Sequence, residues 1–426
     1  MSVIIDIKDF AENGCIDKLT VQKKPTKYNQ NPPPIFLYYE LASTVALDER
    51  FIAVPLSYYY QFLRPKEIGV VETKDPYIQH SFTFMGKLTN AQTAYLPTIT
   101  ETLERTHSIL ISFHCGFGKT ITAIYLAAMY RMRTLIIIPG KNILIQQWLH
   151  SLAKFCPGAQ CQMITAKNAI KQDMDFYITN GLNLTKRDPK DFFGIGTLIV
   201  DEAHLFCSEK NYKSFLNIYP KYSIALTATP QRPDGLQSIL GHFFGFEMVS
   251  KKLFRPFIYK LYKTNFFPQL EQNAVGGLDW NIVLDSMSAD KGRNNLIVKT
   301  ALQLPSRNIL ILCKRKEQVD LIYNDLRQYG ENVSKFYGSE KYYDVDTRIL
   351  VSTYSKSGVG FDFPKLDTLI IACSVLEGIE QYIGRVFRRE DTTPLIIDFI
   401  DKFGGLVKHQ KLREEIYKSM GGMKVL

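Results

Sequence analysis

Two tandem α/β domains built on parallel sheets, behind an N-terminal accessory region, are the fold this sequence predicts, and three observations predict it. Short apolar runs at 108–113, 134–138, 197–200 and 223–227 alternate with helix-like stretches, the pattern of buried strands covered by helices on both faces. A second set of the same kind follows at 308–312, 348–353, 368–372 and 394–397. At 426 residues the chain is long enough for two domains with separate cores.

In chain order, residues 1–80 are irregular, with Pro32-Pro33-Pro34 ahead of a run rich in Tyr and Phe. Tyr58-Tyr59-Tyr60 has two readings there, the core of a β-rich accessory region or a platform on which bases stack; aromatic content alone favours the core. Residues 81–235 form the first α/β set. The span 236–300, mixed in composition with several Gly and Pro, is expected to hold the interdomain link and an insertion. Residues 301–426 are the second set with a short tail.

The segment His114-Cys115-Gly116-Phe117-Gly118-Lys119-Thr120 joins the apolar run 108–113 to a helix-like stretch from Ile121 to Tyr130. Gly116 and Gly118 lack a Cβ, so successive backbone N–H groups there can close around phosphate oxygens at a helix N-terminus. Lys119 would then reach the β- and γ-phosphates of a nucleotide, and the Thr120 hydroxyl would ligate Mg²⁺. One residue departs from this pattern: Phe113 stands where a small side chain is usual. A plain glycine turn between strand and helix is the alternative. Downstream, Thr197-Leu198-Ile199-Val200 runs into Asp201-Glu202-Ala203-His204. Two adjacent carboxylates ending a buried strand are costly unless they meet a cation or a partner. Asp201 would hold Mg²⁺ and Glu202 would polarise the attacking water, the alternative being an acidic strand end that caps a helix.

With these two segments the chain resembles the superfamily 2 helicases and translocases with a DEAH-type box, and the resemblance continues in family order. Ala225-Leu226-Thr227-Ala228-Thr229-Pro230 resembles motif III. Ile349-Leu350-Val351-Ser352-Thr353 with Gly358-Val359-Gly360-Phe361-Asp362 resembles motif V, and Gln381-Tyr382-Ile383-Gly384-Arg385-Val386-Phe387-Arg388 resembles motif VI. The likeness covers roughly residues 82 to 400. Phe84 to Gln92, Cys115 to Thr120 and Gln146-Gln147-Trp148 are most similar to the poxvirus transcript-release DNA helicases and their relatives in large cytoplasmic DNA viruses.

The resemblance implies two RecA-like domains whose cleft closes on ATP and reopens on hydrolysis. It places Cys115, Gly116, Phe117, Gly118, Lys119 and Thr120 around the phosphates, Gln92 at the adenine edge, and Gly360 and Asp362 near the nucleotide, Asp362 by the ribose. A surface glutamine and a simple turn into Pro364 are the alternatives for Gln92 and the motif V glycines. Gln381 would contact the γ-phosphate or the attacking water. Arg385 and Arg388, three apart as helical neighbours are, could face one phosphate group, with Arg388 the principal finger and Arg385 supporting it. A basic helix face continued by Arg389 is the alternative. Pro139, Gly140, Lys141, Gln147, Thr227, Thr229 and Thr353 would face a nucleic-acid strand with low base specificity. Trp148 is tempting as a stacking residue, yet fits a core position better.

Bulk properties agree with a polyanionic partner: 52 Lys and Arg against 42 Asp and Glu give a formal charge of +10. Cys15, Cys115, Cys156, Cys161, Cys207, Cys313 and Cys373 make no Cys-x-x-Cys pair, so neither zinc nor a disulfide framework is expected and a reducing compartment is the simplest setting. No signal peptide or membrane span is expected. The implied activity is ATP-dependent movement on nucleic acid, DNA rather than RNA, with 3′ to 5′ polarity. Its implied role is transcript release beside RNA polymerase or other transcription-complex proteins, in the host cytoplasm and the virion. Alternatives are an RNA helicase, a restriction-type translocase, and a catalytically silent scaffold that kept the fold. The full set of Lys119, Thr120, Asp201, Glu202, Gln381, Arg385 and Arg388 argues against silence.

Overall fold

The computed structural model describes residues 1–25, 29–41, 50–71, 77–80, 82–114, 116–140, 142–207, 212–230, 235–274, 276–340, 342–358, 361 and 363–425. The chain divides into two compact units, Met1–Lys251 and Lys252–Leu426.

The first unit is organised by a seven-stranded sheet in the order Met248–Lys251, Ser108–Phe113, Tyr222–Thr227, Thr197–Asp201, Thr134–Ile138, Phe176–Asn180 and Cys161–Met163. Every pairing in it is parallel. Ser108–Phe113, Thr134–Ile138, Thr197–Asp201 and Tyr222–Thr227 are buried at every residue, which is why they read as unbroken apolar runs. Register sets the site: Leu226 pairs with both Asp201 and Ile111, so the ends of three strands come level. Strand spacing then puts the end of Ser108–Phe113 about 10 Å from the end of Thr197–Asp201.

The N-terminal residues belong to this unit. Ser2–Asp6, Phe51–Pro55 and Tyr39–Glu40 make a small antiparallel sheet, and Ile5, Val54, Tyr58 and Tyr59 share one apolar cluster with Phe206, Phe215, Phe243 and Phe244. Tyr60 stacks on His107 with ring centroids 3.8 Å apart. Of the two readings of the tyrosine triplet, the core reading is the one the structure realises.

The second unit repeats the plan in the order Val333–Phe336, Ile349–Thr353, Ile309–Cys313, Thr368–Ile371, Leu395–Ile400, Phe257–Lys263 and Gly422–Lys424, again with parallel pairs throughout. The boundary between the units falls inside the span 236–300, where the link is expected, and the elements on either side of it belong to the two units. Helix Ser238–Phe244 and strand Met248–Lys251 complete the first unit, while strand Phe257–Lys263 and helices Trp280–Ala289 and Lys291–Leu302 belong to the second. The tail is structural too, since helix Gly404–Ser419 leads to Gly422–Lys424 beside Phe257–Tyr259. No helix among the described residues is long and apolar enough to cross a membrane.

Candidate nucleotide-binding site

The turn after Ser108–Phe113 places Gly116 and Gly118 at φ 84° and 93°, a region costly for side chains with a Cβ. A Cβ on Gly118 would crowd the Gln92 amide nitrogen, and the positive φ strains any side chain there. Gly118 caps helix Lys119–Tyr130, whose first-turn N–H groups and positive dipole end face the loop. Lys119 Nζ donates to the Phe113 carbonyl at 2.8 Å and the His114 carbonyl at 3.4 Å, and Thr120 follows it in the first turn. Cys115 lies outside the described residues. The misfit Phe113 is accommodated because it is the last residue of the strand, fully buried, with its ring 4.5 Å from that of Phe117 and 5.1 Å from that of Tyr95.

Gln92 does not lie open to a base. It is 4 % exposed; its amide nitrogen donates to the carbonyls of Phe117 at 3.0 Å and Gly118 at 3.3 Å. Its oxygen accepts the Thr89 backbone N–H at 2.8 Å and the Thr89 hydroxyl at 3.2 Å. All four hydrogen-bonding places of the amide are thereby taken by protein. Gln92 closes a capping box on Asn90–Thr93 and ties that turn to the phosphate loop, in place of an amide open to a base edge.

Asp201 and Glu202 end the strand at 7 % and 8 % exposure. Burial first, then the neighbouring Glu202 carboxylate, pushes the Asp201 carboxyl up to about 6, while the Trp148 indole N–H, the Lys119 ammonium and the Glu202 backbone N–H pull the other way. Glu202 sits at φ 49°, a left-handed conformation that costs a non-glycine residue about 1–2 kcal/mol. Strain of this kind persists where the surroundings fix it, most often at working sites. His204 Nδ1 lies 3.6 Å from Glu202 Oε2 and 2.9 Å from the Thr227 hydroxyl, and that hydroxyl accepts the Thr229 backbone N–H at 3.1 Å. This link runs from the carboxylate pair into motif III. His204 is the residue in it that sequence reasoning passed over, although its place behind the two carboxylates marks it.

The residues expected at a nucleic-acid strand divide. Gly140 and Gln147 are exposed and Pro139 half-buried; Pro139 and Gly140 border a depression of about 220 Å³ that Asn180, Gly181, Leu182, Leu205 and Phe206 complete. Lys141 lies outside the described residues. Thr227 is fully buried with its hydroxyl on His204, so it faces the carboxylates and not a strand; Thr229 is half-buried. Thr353 is buried as well, its hydroxyl 3.3 Å from that of exposed Ser355. Ser355 is the hydroxyl that solvent reaches.

Motif VI also differs from expectation. Helix Ile379–Gly384 ends before Arg385, so Arg385 and Arg388 do not share a helical face. Gln381 is on the helix, 9 % exposed. Arg385 turns inward, donating to the Phe361 carbonyl at 2.5 Å and to the Gly358 carbonyl, and thus ties those two motif V residues together. Val386 and Phe387 bury in the core, and Arg388 emerges half-buried beyond them. Arg389 pairs with Asp391 and Asp367. Arg255, which no motif announced, donates to the carbonyls of Phe387, Arg389 (2.5 Å) and Thr392 (3.2 Å), bracketing Arg388 on both sides. Gly360 and Asp362 lie outside the described residues.

Two parallel-sheet units, the first with a glycine-lined helix start, a lysine and a buried acidic pair at its strand ends, define a tandem RecA-like nucleoside-triphosphate-hydrolysing enzyme. Residues 85–232 match the family described as Type III restriction enzyme, res subunit. The protein described as "Putative helicase 161L" of invertebrate iridescent virus 6 is 36% identical over 369 residues, 80% of this chain and 83% of that one. Transcript termination protein A18 of myxoma virus is 26% identical over 414 residues, 85% and 84% of the two chains. A solved structure of S. cerevisiae Dbp5 bound to RNA and ADP BeF3 shares the fold at TM-score 0.53 and 14% identity, covering 80% of this chain and 90% of that one. The chain belongs to the superfamily 2 helicases, in the group of viral helicases that includes the A18 proteins, and is an ATP-hydrolysing, nucleic-acid-binding enzyme.

Proposed function

We propose that this helicase hydrolyses Mg²⁺·ATP at the Lys119 loop to move 3′ to 5′ along DNA and release transcripts during viral transcription in the host cytoplasm. The observation that carries the catalytic part is Glu202, a buried carboxylate held in a left-handed backbone conformation beside Asp201. The loop from Gly116 to Thr120 receives the phosphates, and Lys119 exchanges the Phe113 and His114 carbonyls for the β- and γ-phosphate oxygens. The buried, mutually repelling carboxylate pair fits a divalent cation, which Asp201 and Thr120 would hold and which would offset charge on the phosphates. Glu202 takes the proton of the attacking water. Phosphate binding then reaches motif III through His204 and Thr227. On the second unit Arg388 acts on the charge that develops at the γ-phosphate, Gln381 orients the water, and Arg385 serves by holding the Gly358 and Phe361 carbonyls.

Exposed Gly140 and Gln147, with Pro139, Thr229 and Lys141, are proposed to meet the strand backbone. The role in transcript release is supported by the A18 relatives, which are named transcript termination proteins, and polymerase-associated partners follow from that role. The test is ATPase turnover without nucleic acid, with single-stranded DNA, with duplex DNA and with RNA. DNA should stimulate most; stronger stimulation by RNA overturns the DNA assignment. Unwinding of 3′-tailed but not 5′-tailed duplexes checks polarity.

A further inference from the structure

The carboxylate proposed to hold the metal is fixed from one side by a tryptophan. Asp201 Oδ1 accepts the Glu202 backbone N–H at 2.9 Å, and Oδ2 accepts the Trp148 indole N–H, also at 2.9 Å. Trp148 is 1 % exposed and Asp201 7 %, so water does not compete for this bond. An indole has one N–H and no acceptor, so it can orient a carboxylate but cannot take a proton from it. Hydrogen bonds to a buried charged group are among the strongest available to a protein.

The helix that carries Trp148 makes the contact more than local support. Asn142–Phe155 packs beside helix Lys119–Tyr130, which starts at the phosphate loop. It begins just past Pro139 and Gly140, and Gln146 and Gln147, the residues immediately before Trp148, are exposed. One element therefore shows solvent Gln147, proposed to meet the strand, and holds the metal-site carboxylate with its buried face.

We propose that Trp148 is a positioning residue, whose indole N–H sets the Asp201 carboxylate for Mg²⁺ and couples engagement of a strand at Gln147 to that carboxylate. The inference rests on the proposed function of the site. Trp148→Phe keeps an aromatic ring in the cavity and removes the donor. The Mg²⁺ concentration giving half-maximal binding of a fluorescent ATP analogue should rise about tenfold, the scale of one lost hydrogen bond to a charged group. Stimulation of turnover by single-stranded DNA should fall with it. A purely structural tryptophan would lower the unfolding temperature and leave both the Mg²⁺ dependence and the fold-stimulation in place, and that result overturns the proposal.

A spectroscopic measurement covers the case in which Trp148→Phe does not fold. The chain has two tryptophans, Trp148 and Trp280. In Trp280→Phe, the remaining indole should change its emission when Mg²⁺ and ADP are added together, and not in the same protein carrying Asp201→Asn. Emission insensitive to Mg²⁺ and ADP overturns the coupling. Lys119→Ala separates the two failures. If it retains turnover, the nucleotide site is misassigned and the coupling falls with it; if it loses turnover while Trp148→Phe matches the parent, only the role of Trp148 is rejected.

Discussion

At the residue scale the site is a set of charges that need one another. Lys119 rests on two backbone carbonyls and Asp201 on two N–H donors, and the Lys119 ammonium offsets part of the repulsion that Asp201 feels from Glu202. Lys119→Ala should leave the fold intact, because those carbonyls end a strand at the mouth of the sheet, and should lower ATP turnover by about 10²–10³-fold or more. Near-parental turnover in the purified variant would end the phosphate-loop assignment. Glu202→Gln preserves shape but cannot take a proton from water, so Mg²⁺·ATP should still bind while turnover falls about 10²–10⁴-fold. Equilibrium binding of labelled ATP decides the matter: lost binding would make Glu202 structural or a direct ligand. Gln92 shows the limit of reading by motif. Its position is the expected one, yet the turn it caps and the loop it ties take its whole amide, a fact that depends on the fold of residues 89–118 and not on the local pattern.

At the element scale, legibility follows burial. Ser108–Phe113 and Thr197–Asp201 carry apolar side chains on both faces and read within a residue of their bounds, whereas Met248–Lys251 mixes exposed with buried positions, Val333–Phe336 mixes half-buried with buried ones, and neither gives a periodic signal. The motif VI helix is shorter than its arginine spacing suggests, for a tertiary reason. Its neighbours Val386 and Phe387 turn into the core, and Arg255, remote in sequence, holds the segment that follows. Arg255→Ala should therefore destabilise the second unit by about 1–3 kcal/mol and cut turnover, with ATP affinity little changed. An unaltered ATPase rate would separate that clamp from Arg388. Helix Ser238–Phe244 carries a pH dependence of its own. Burial pulls His242 down to about 4, so the folded chain binds its proton only well below the ordinary value of 6.5. The stability it contributes is present above about 6.5 and is lost as pH falls toward 4, with a slope of up to about 1.4 kcal/mol per pH unit. Burial shifts His107 in the same direction, which adds to the trend. Unfolding midpoints between pH 7 and pH 5 should fall in the parent and fall less in His242→Phe; parallel slopes would remove His242 from the account.

At the scale of the whole molecule, the division of labour among residues is what the chain order could convey and what composition could not. Five motifs in family order specified two similar sheets, but the boundary at Lys251 depends on two strands that pair with different sheets although only five residues separate them. Composition speaks instead to the partner. A formal charge of +10 and a sequence pI near 9.0 favour association with a polyanion. The accessible polar groups proposed at the strand, Gly140 and Gln147 among them, are suited to phosphates and sugars and not to base edges. Binding should then be driven by release of condensed counterions, so log affinity for single-stranded DNA should fall linearly with log salt, by about 0.7 for each phosphate neutralised. Oligonucleotides of one length and different sequence should lie on nearly one line. Fluorescence anisotropy across a salt series checks both statements. A flat salt dependence, or lines separated by sequence at equal length, would mean that side chains read the bases, and the backbone-gripping interface proposed for the first unit would have to be abandoned.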